Sequence, residues 1–129
     1  MPEKLTRILY VEDEPDIRLV ARLALEKLGG FTVEVCASGA EALQRAPAFR
    51  PQFILLDVMM PEMDGPATFR ALRAQPGMAA VPVAFMTAKV QSDEIAHFRE
   101  LGAVDVIPKP FDPMTLASQV EQIWARCHG

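Results

Sequence analysis

Glu12, Asp13, Asp57, Thr87 and Lys109 stand where packing alone does not ask for polar groups. Asp57 closes the apolar run Phe53-Ile54-Leu55-Leu56, and Glu12 and Asp13 follow Ile8-Leu9-Tyr10-Val11 at once. Thr87 comes straight after Val83-Ala84-Phe85-Met86, and Lys109 stands between two prolines after Val106-Ile107. A carboxylate at the end of a buried strand costs stability unless it reaches the mouth of a site. Three carboxylates brought together repel by about 4 kcal/mol per pair at roughly 4 Å, for an effective dielectric near 20. A lysine offsets part of that, and a divalent cation offsets more. Hard oxygen ligands of this kind suit Mg²⁺. A carboxylate so placed can attack phosphorus and form an aspartyl-phosphate. Mg²⁺, Lys109 and the Thr87 hydroxyl would neutralise the equatorial oxygens.

Such a constellation needs elements that bring distant residues to one edge. Arg7-Ile8-Leu9-Tyr10-Val11 reads as a short buried strand. Pro15 and Asp16 then open a helix, with Ile17, Val20, Ala21, Ala24, Leu25 and Leu28 as its core stripe and Leu19 and Leu23 spare. Gly29-Gly30 stops it. Thr32–Cys36 alternates as a strand nearer a sheet edge. Ser38 and Glu41 form a capping-box pair ahead of a helix carrying Ala42, Leu43 and Ala46.

After the strand that ends on Asp57, Pro66 starts a helix with Phe69 and Leu72 inward and Arg70 and Arg73 outward. A fourth strand covers 81–86, and a helix begins at Ser92 with Ile95, Phe98 and Leu101 inside. The fifth strand is read at 104–107. A last helix runs from about Pro113 to Cys127, with Leu116, Val120, Ile123 and Cys127 at core spacing and Trp124 on its flank. Strand and helix alternate throughout, which predicts an α/β fold: a doubly wound parallel sheet with helices on both faces. The carboxyl ends of such strands share one edge, where ligands bind in open α/β sheets.

The 129 residues read as one domain over 1–129, with no composition break and no effector domain. A net charge of −4 without a basic cluster argues against direct nucleic-acid binding. No apolar run reaches membrane-spanning length and no signal peptide is evident, so the expected location is the cytoplasm and no membrane partner is expected. Cys36 and Cys127 fit no metal or disulfide pattern and read as buried or half-buried thiols. His97 and His128 read as exposed and lack ligand partners at suitable spacing.

The sequence resembles a receiver domain of a two-component response regulator, similar in layout to stand-alone chemotaxis-type regulators. The matching residues are Val11-Glu12-Asp13-Glu14, the stretch Asp57–Gly65, Met86-Thr87-Ala88, Gly102-Ala103 and Lys109-Pro110-Phe111. The resemblance implies a flavodoxin-like (βα)5 sheet in the order 2-1-3-4-5. It implies that Asp57 accepts a phosphoryl group from a histidine kinase or a phosphotransfer protein. Asp13 and Asp57 would ligate Mg²⁺, with the Met59 carbonyl as a further ligand and Glu12 acting through water. Thr87 and Lys109 would hold the phosphoryl oxygens, and the Lys109-Pro110 bond would be cis. The output would be altered contact with a downstream protein, from a monomer or a weak phosphorylation-dependent dimer.

One position departs from the family pattern. An aromatic usually stands three residues before the lysine, whereas this chain has Val106, whose β-branched side chain is stiff and has no ring to swing. The expected exit for the signal is therefore the loop after Thr87 or the face of the first helix. Met59 and Lys89 flank the expected line of water attack, and the apolar Met59 implies a long-lived phosphoform. Leu19 and Leu23, beside the active edge, are candidates for a docking patch.

Other readings are an excised piece of a longer regulator or hybrid kinase, and an Asp-nucleophile phosphatase. The phosphatase would want an acid where Met59 stands. A flavodoxin-like cofactor binder would want a Gly- and hydroxyl-rich loop, whereas Glu12-Asp13-Glu14 repels phosphate. A degenerate receiver is at odds with intact Asp13, Asp57, Thr87 and Lys109.

Overall fold

Continuous apolar runs form the central strands because those strands are covered on both faces. In the computed structural model, which describes residues 3–88 and 90–128 (the last by its backbone), the strands are β1 (Arg7–Val11), β2 (Thr32–Cys36), β3 (Phe53–Asp57), β4 (Val83–Thr87) and β5 (Asp105–Pro108). The helices are α1 (Pro15–Leu23), α2 (Gly39–Phe49), α3 (Gly65–Arg73), α4 (Ser92–Leu101) and α5 (Leu116–His128). All pairings are parallel and the sheet runs β2-β1-β3-β4-β5, the expected order. β3 and β4 are buried along their whole length.

Side-chain alternation splits the core into two layers. Ile8, Tyr10, Phe53, Leu55, Ala84, Met86 and Ile107 pack against α1 and α5, with Leu25, Leu116 and Val120. Leu9, Val11, Ile54, Leu56, Val83 and Phe85 pack against the helices of the opposite face, with Ala42, Phe69, Leu72 and Phe98. The same alternation puts Glu12, just past β1, and Asp57, the last residue of β3, on the same face as Tyr10 and Leu55.

Several boundaries and faces differ from the sequence reading. β4 starts at Val83 rather than residue 81, β5 is shifted one residue onward, and α5 begins at Leu116 rather than near Pro113. Ala21, Ala24 and Leu25 of the predicted stripe are buried, but Val20 and Leu28 are exposed. Helix α1 passes into a π turn over Ala24–Leu28. Its wider winding delays the register by about a residue and carries Leu28 off the core. Val20 faces a surface groove instead.

Arg73 is half-buried rather than outward: its guanidinium lies 4.7 Å from the Phe69 ring centroid and donates to the carbonyls of Met78 and Val81. Trp124 is buried, not flanking, and its Nε1 donates to the Glu3 carbonyl at 2.9 Å. Cys36 is buried as expected, but Cys127 is exposed on the solvent side of the last turn. The Ser38 hydroxyl accepts from the Glu41 N–H, while the Glu41 carboxylate reaches the N–H of Ala37, one residue short of a full capping box. No described helix is long and apolar enough to cross a membrane.

Candidate functional site

The parallel register delivers the chemistry-bearing residues to one edge. Tyr10 pairs with Leu55, Leu56 with Phe85 and Met86 with Ile107, so Glu12, Asp57, Thr87 and Lys109 all lie at or just past strand carboxyl ends. Lys109 is tied there by its own N–H, which donates to the Thr87 carbonyl at 2.9 Å. The Lys109-Pro110 bond is cis, as expected.

At the centre, the Lys109 ammonium bridges two carboxylates that solvent barely touches. Nζ lies 2.9 Å from Glu12 Oε1 and 3.2 Å from Asp57 Oδ1. Glu12 is 0% exposed and Asp57 2%. Carboxylate oxygens of Glu12, Asp13 and Asp57 lie within 4.8 Å of one another. One lysine cannot neutralise three acids. Asp13 Oδ1 is buried and has no hydrogen-bond partner among the described residues, an orphan that a cation would satisfy. The donor set, hard oxygens only, fits Mg²⁺.

Electrostatics follow from this crowding. Burial and the adjacent Glu12 carboxylate push the Asp57 carboxyl from 3.8 up to about 7, with Lys109 pulling against them. Burial works to lower the Lys109 ammonium, but contacts with Glu12 and Asp57 outweigh it and hold the proton more firmly. Lys109 stays charged beside a carboxyl that shares its proton-binding range with neutral pH.

The loop after β3 is shaped around Asp57 by Gly65. A Cβ on Gly65 would lie 2.6 Å from the Asp57 carbonyl oxygen and 2.8 Å from Val58 Cα. The Gly65 N–H donates to the Val58 carbonyl at 2.9 Å, and the Asp64 side chain caps α3 by accepting from the Ala67 N–H. Glycine is needed there because backbone meets backbone. Met60 is buried beneath this loop, while the Met59 side chain is 71% exposed.

The sequence reading missed three supports of Glu12. The Tyr10 hydroxyl donates to Oε1 at 3.3 Å, the Glu14 N–H to Oε2 at 3.3 Å, and Arg18 Nη1 to the backbone carbonyl at 2.8 Å. Tyr10 sits two residues before Glu12 on the same strand face, inside a run that reads as buried strand. The signal was present, because a buried phenol nearly always finds a partner for its hydroxyl. Burial and the Glu12 charge raise the Tyr10 phenol above its ordinary value, so it remains a donor.

Thr87 is buried at the end of β4. His97 is exposed; Lys89 and the side chain of His128 lie outside the described residues. Val106 is half-buried and packs with the layer of Leu9, Leu56 and Phe85, level with Phe85, whose ring centroid lies 4.9 Å from that of Phe98.

Comparison with known proteins agrees with this geometry. Residues 8–121 match the family model for the response regulator receiver domain. The chain is 36% identical over 121 residues to the transcriptional regulatory protein CseB of Streptomyces coelicolor, covering 94% of this chain and 50% of that protein. It is 37% identical over 120 residues to the alkaline phosphatase synthesis transcriptional regulatory protein PhoP of Bacillus subtilis, covering 93% and 49%. The chain thus spans about half the length of these curated relatives. Among solved structures, the chemotaxis protein CheY4 of Vibrio cholerae superposes with a TM-score of 0.86 at 30% identity, covering 93% of this chain and 99% of that one.

Proposed function

Because the chain belongs to the response regulator receiver family of two-component systems, we propose that Asp57 accepts a phosphoryl group from a phosphohistidine. An Asp57 carboxylate oxygen attacks phosphorus in line, the P–N bond to the donor imidazole breaks, and the imidazole leaves with the electron pair and takes up a proton. The observation that carries this reading is Lys109 Nζ held between Glu12 and Asp57 beside the orphaned Asp13 Oδ1. Asp13 and Asp57 would hold Mg²⁺ directly, with the Met59 carbonyl as a further ligand and Glu12 acting through water. Bound Mg²⁺ supplies charge neutralisation for the phosphoryl oxygens. The chain's own residues do the rest. Lys109 turns from carboxylate to phosphoryl oxygen, Thr87 donates its hydroxyl to another, and the buried floor of the site excludes water.

A donor must bring its histidine to this edge. Beside Lys109, Ile17 and Val20 of α1 face Pro110, Phe111 and Pro113 across an apolar groove of about 480 Å³. Leu19 and Leu23 extend the apolar surface of α1. That supports docking of an amphipathic helix of the kinase or phosphotransfer protein. Incubation with acetyl phosphate and Mg²⁺, read by intact mass, tests the proposal. The expected result is one phosphoryl adduct, lost on adding a chelator beforehand and in Asp57→Asn. An unmodified wild-type chain overturns it.

A further inference from the structure

We infer that Arg18 is a positioning residue that sets where Asp13 stands and thereby makes the acidic pocket prefer Mg²⁺ over larger divalent cations. This rests on the reading of Asp13 and Asp57 as metal ligands above. Four acids lie close to Arg18 in the chain: Glu12, Asp13, Glu14 and Asp16. Among the described residues its guanidinium pairs with none of their carboxylates. Nη1 donates instead to the Glu12 backbone carbonyl at 2.8 Å.

That carbonyl belongs to the planar peptide joining Glu12 to Asp13, so holding its oxygen fixes the plane from which the Asp13 Cα departs. The groups on either side are tied as well. The Glu12 N–H donates to the Cys36 carbonyl at 3.0 Å, the Glu14 N–H to Glu12 Oε2 at 3.3 Å, and the Arg18 N–H to the Glu14 carbonyl at 2.9 Å. The Glu12 side chain has its own anchors in Lys109 and Tyr10. Asp13 Oδ1 has no hydrogen-bond partner among the described residues. Its place is therefore set by the backbone, which Arg18 pins from α1. A guanidinium offers donors only, so Arg18 acts through the peptide and is no ligand itself.

Mg²⁺ demands near-ideal octahedral geometry at about 2.0–2.1 Å, whereas Ca²⁺ accepts flexible geometry at about 2.3–2.6 Å. A carboxylate that drifts from its place thus costs Mg²⁺ more than Ca²⁺. Removal of a nearby positive charge has a different signature: it tightens both divalent ions.

Calorimetric titration of wild type and Arg18→Met with Mg²⁺ alone and with Ca²⁺ alone separates these effects. Methionine keeps an apolar stem and removes the donors. The variant's Mg²⁺ affinity is expected to fall about tenfold, the lower end of what losing a group that orients a metal ligand costs. Its Ca²⁺ affinity should stay within about threefold of wild type. Tighter Mg²⁺ binding overturns the inference, because Arg18 would then act as a charge. An equal loss for both ions overturns it too, and so does a lower thermal midpoint with an unchanged preference for Mg²⁺ over Ca²⁺, which marks a role in stability alone. Should Arg18→Met not fold, Arg18→Gln, too short to reach the carbonyl, is held to the same outcomes. Wild type that binds no Mg²⁺ removes the metal reading itself and this inference with it.

Discussion

Two buried carboxylates sharing one ammonium make Asp57 a group held against its preference. Its folded-state value lies near 7, above the 3.8 of a free carboxyl, mainly through burial and Glu12. The folded chain therefore binds more protons than the unfolded chain between those values, and stability falls as pH rises through that window. Below it the effect vanishes; above it the penalty is fully expressed, on the order of 2–4 kcal/mol. Urea unfolding of the metal-free protein across pH 4–8 should show this slope, with Asp57→Asn flatter and more stable than wild type at pH 8. Saturating Mg²⁺ should flatten the wild-type curve as well. Met59 bears on how long the phosphoform survives. Its exposed thioether cannot orient a hydrolytic water, so the wild-type phosphoform should outlast that of Met59→Asn several-fold in a decay assay. Equal or faster decay of the wild type refutes it. The acids, the hydroxyl and the lysine were legible in the sequence as polar residues at the ends of apolar runs. Tyr10 was not, because an aromatic in a buried strand reads first as packing.

The loop joining β3 to α3 carries the tightest geometric demand. Gly65 lets α3 start against the Asp57 carbonyl, and any Cβ there must push one of them aside. Gly65→Ala should cost about 1–3 kcal/mol by overpacking. It should also slow acetyl phosphate labelling more than the same loss of stability introduced elsewhere; a destabilised variant with normal labelling would separate the loop from the site. Elements were legible where pattern and burial agree, as in β1, β2 and β3, whose predicted and observed spans coincide. They were not legible where a local device intervenes. The π turn after α1 shifts register without any glycine or proline to announce it. Arg73 and Trp124 looked like surface residues because each has a polar end. Both bury an apolar or planar body and send the polar end to a backbone carbonyl. Val106 places no ring on β5, and the aromatic contacts at that level come from Phe85 with Phe69 and Phe98.

At the scale of the whole chain, one parallel sheet converts sequence separation into proximity. Residues 12 and 109 are 97 positions apart and make a 2.9 Å contact. Glu12, Asp57 and Lys109 meet only because β1, β3, β4 and β5 end together, and the alternation of strands and helices carried that information in advance. The positions of side chains within the site were not available from the pattern, since the orphaned Asp13 Oδ1 and the shared Glu12 Oε1 depend on distances that no spacing rule sets. On the proposed mechanism Asp57, and no neighbouring acid, receives the phosphoryl group. Borohydride reduction of the acetyl phosphate-treated protein converts an acyl phosphate to the alcohol, and peptide mass mapping then locates it. Homoserine at position 57 is the predicted result; homoserine at position 13, 5-hydroxynorvaline at position 12, or an unmodified peptide at position 57 would contradict it.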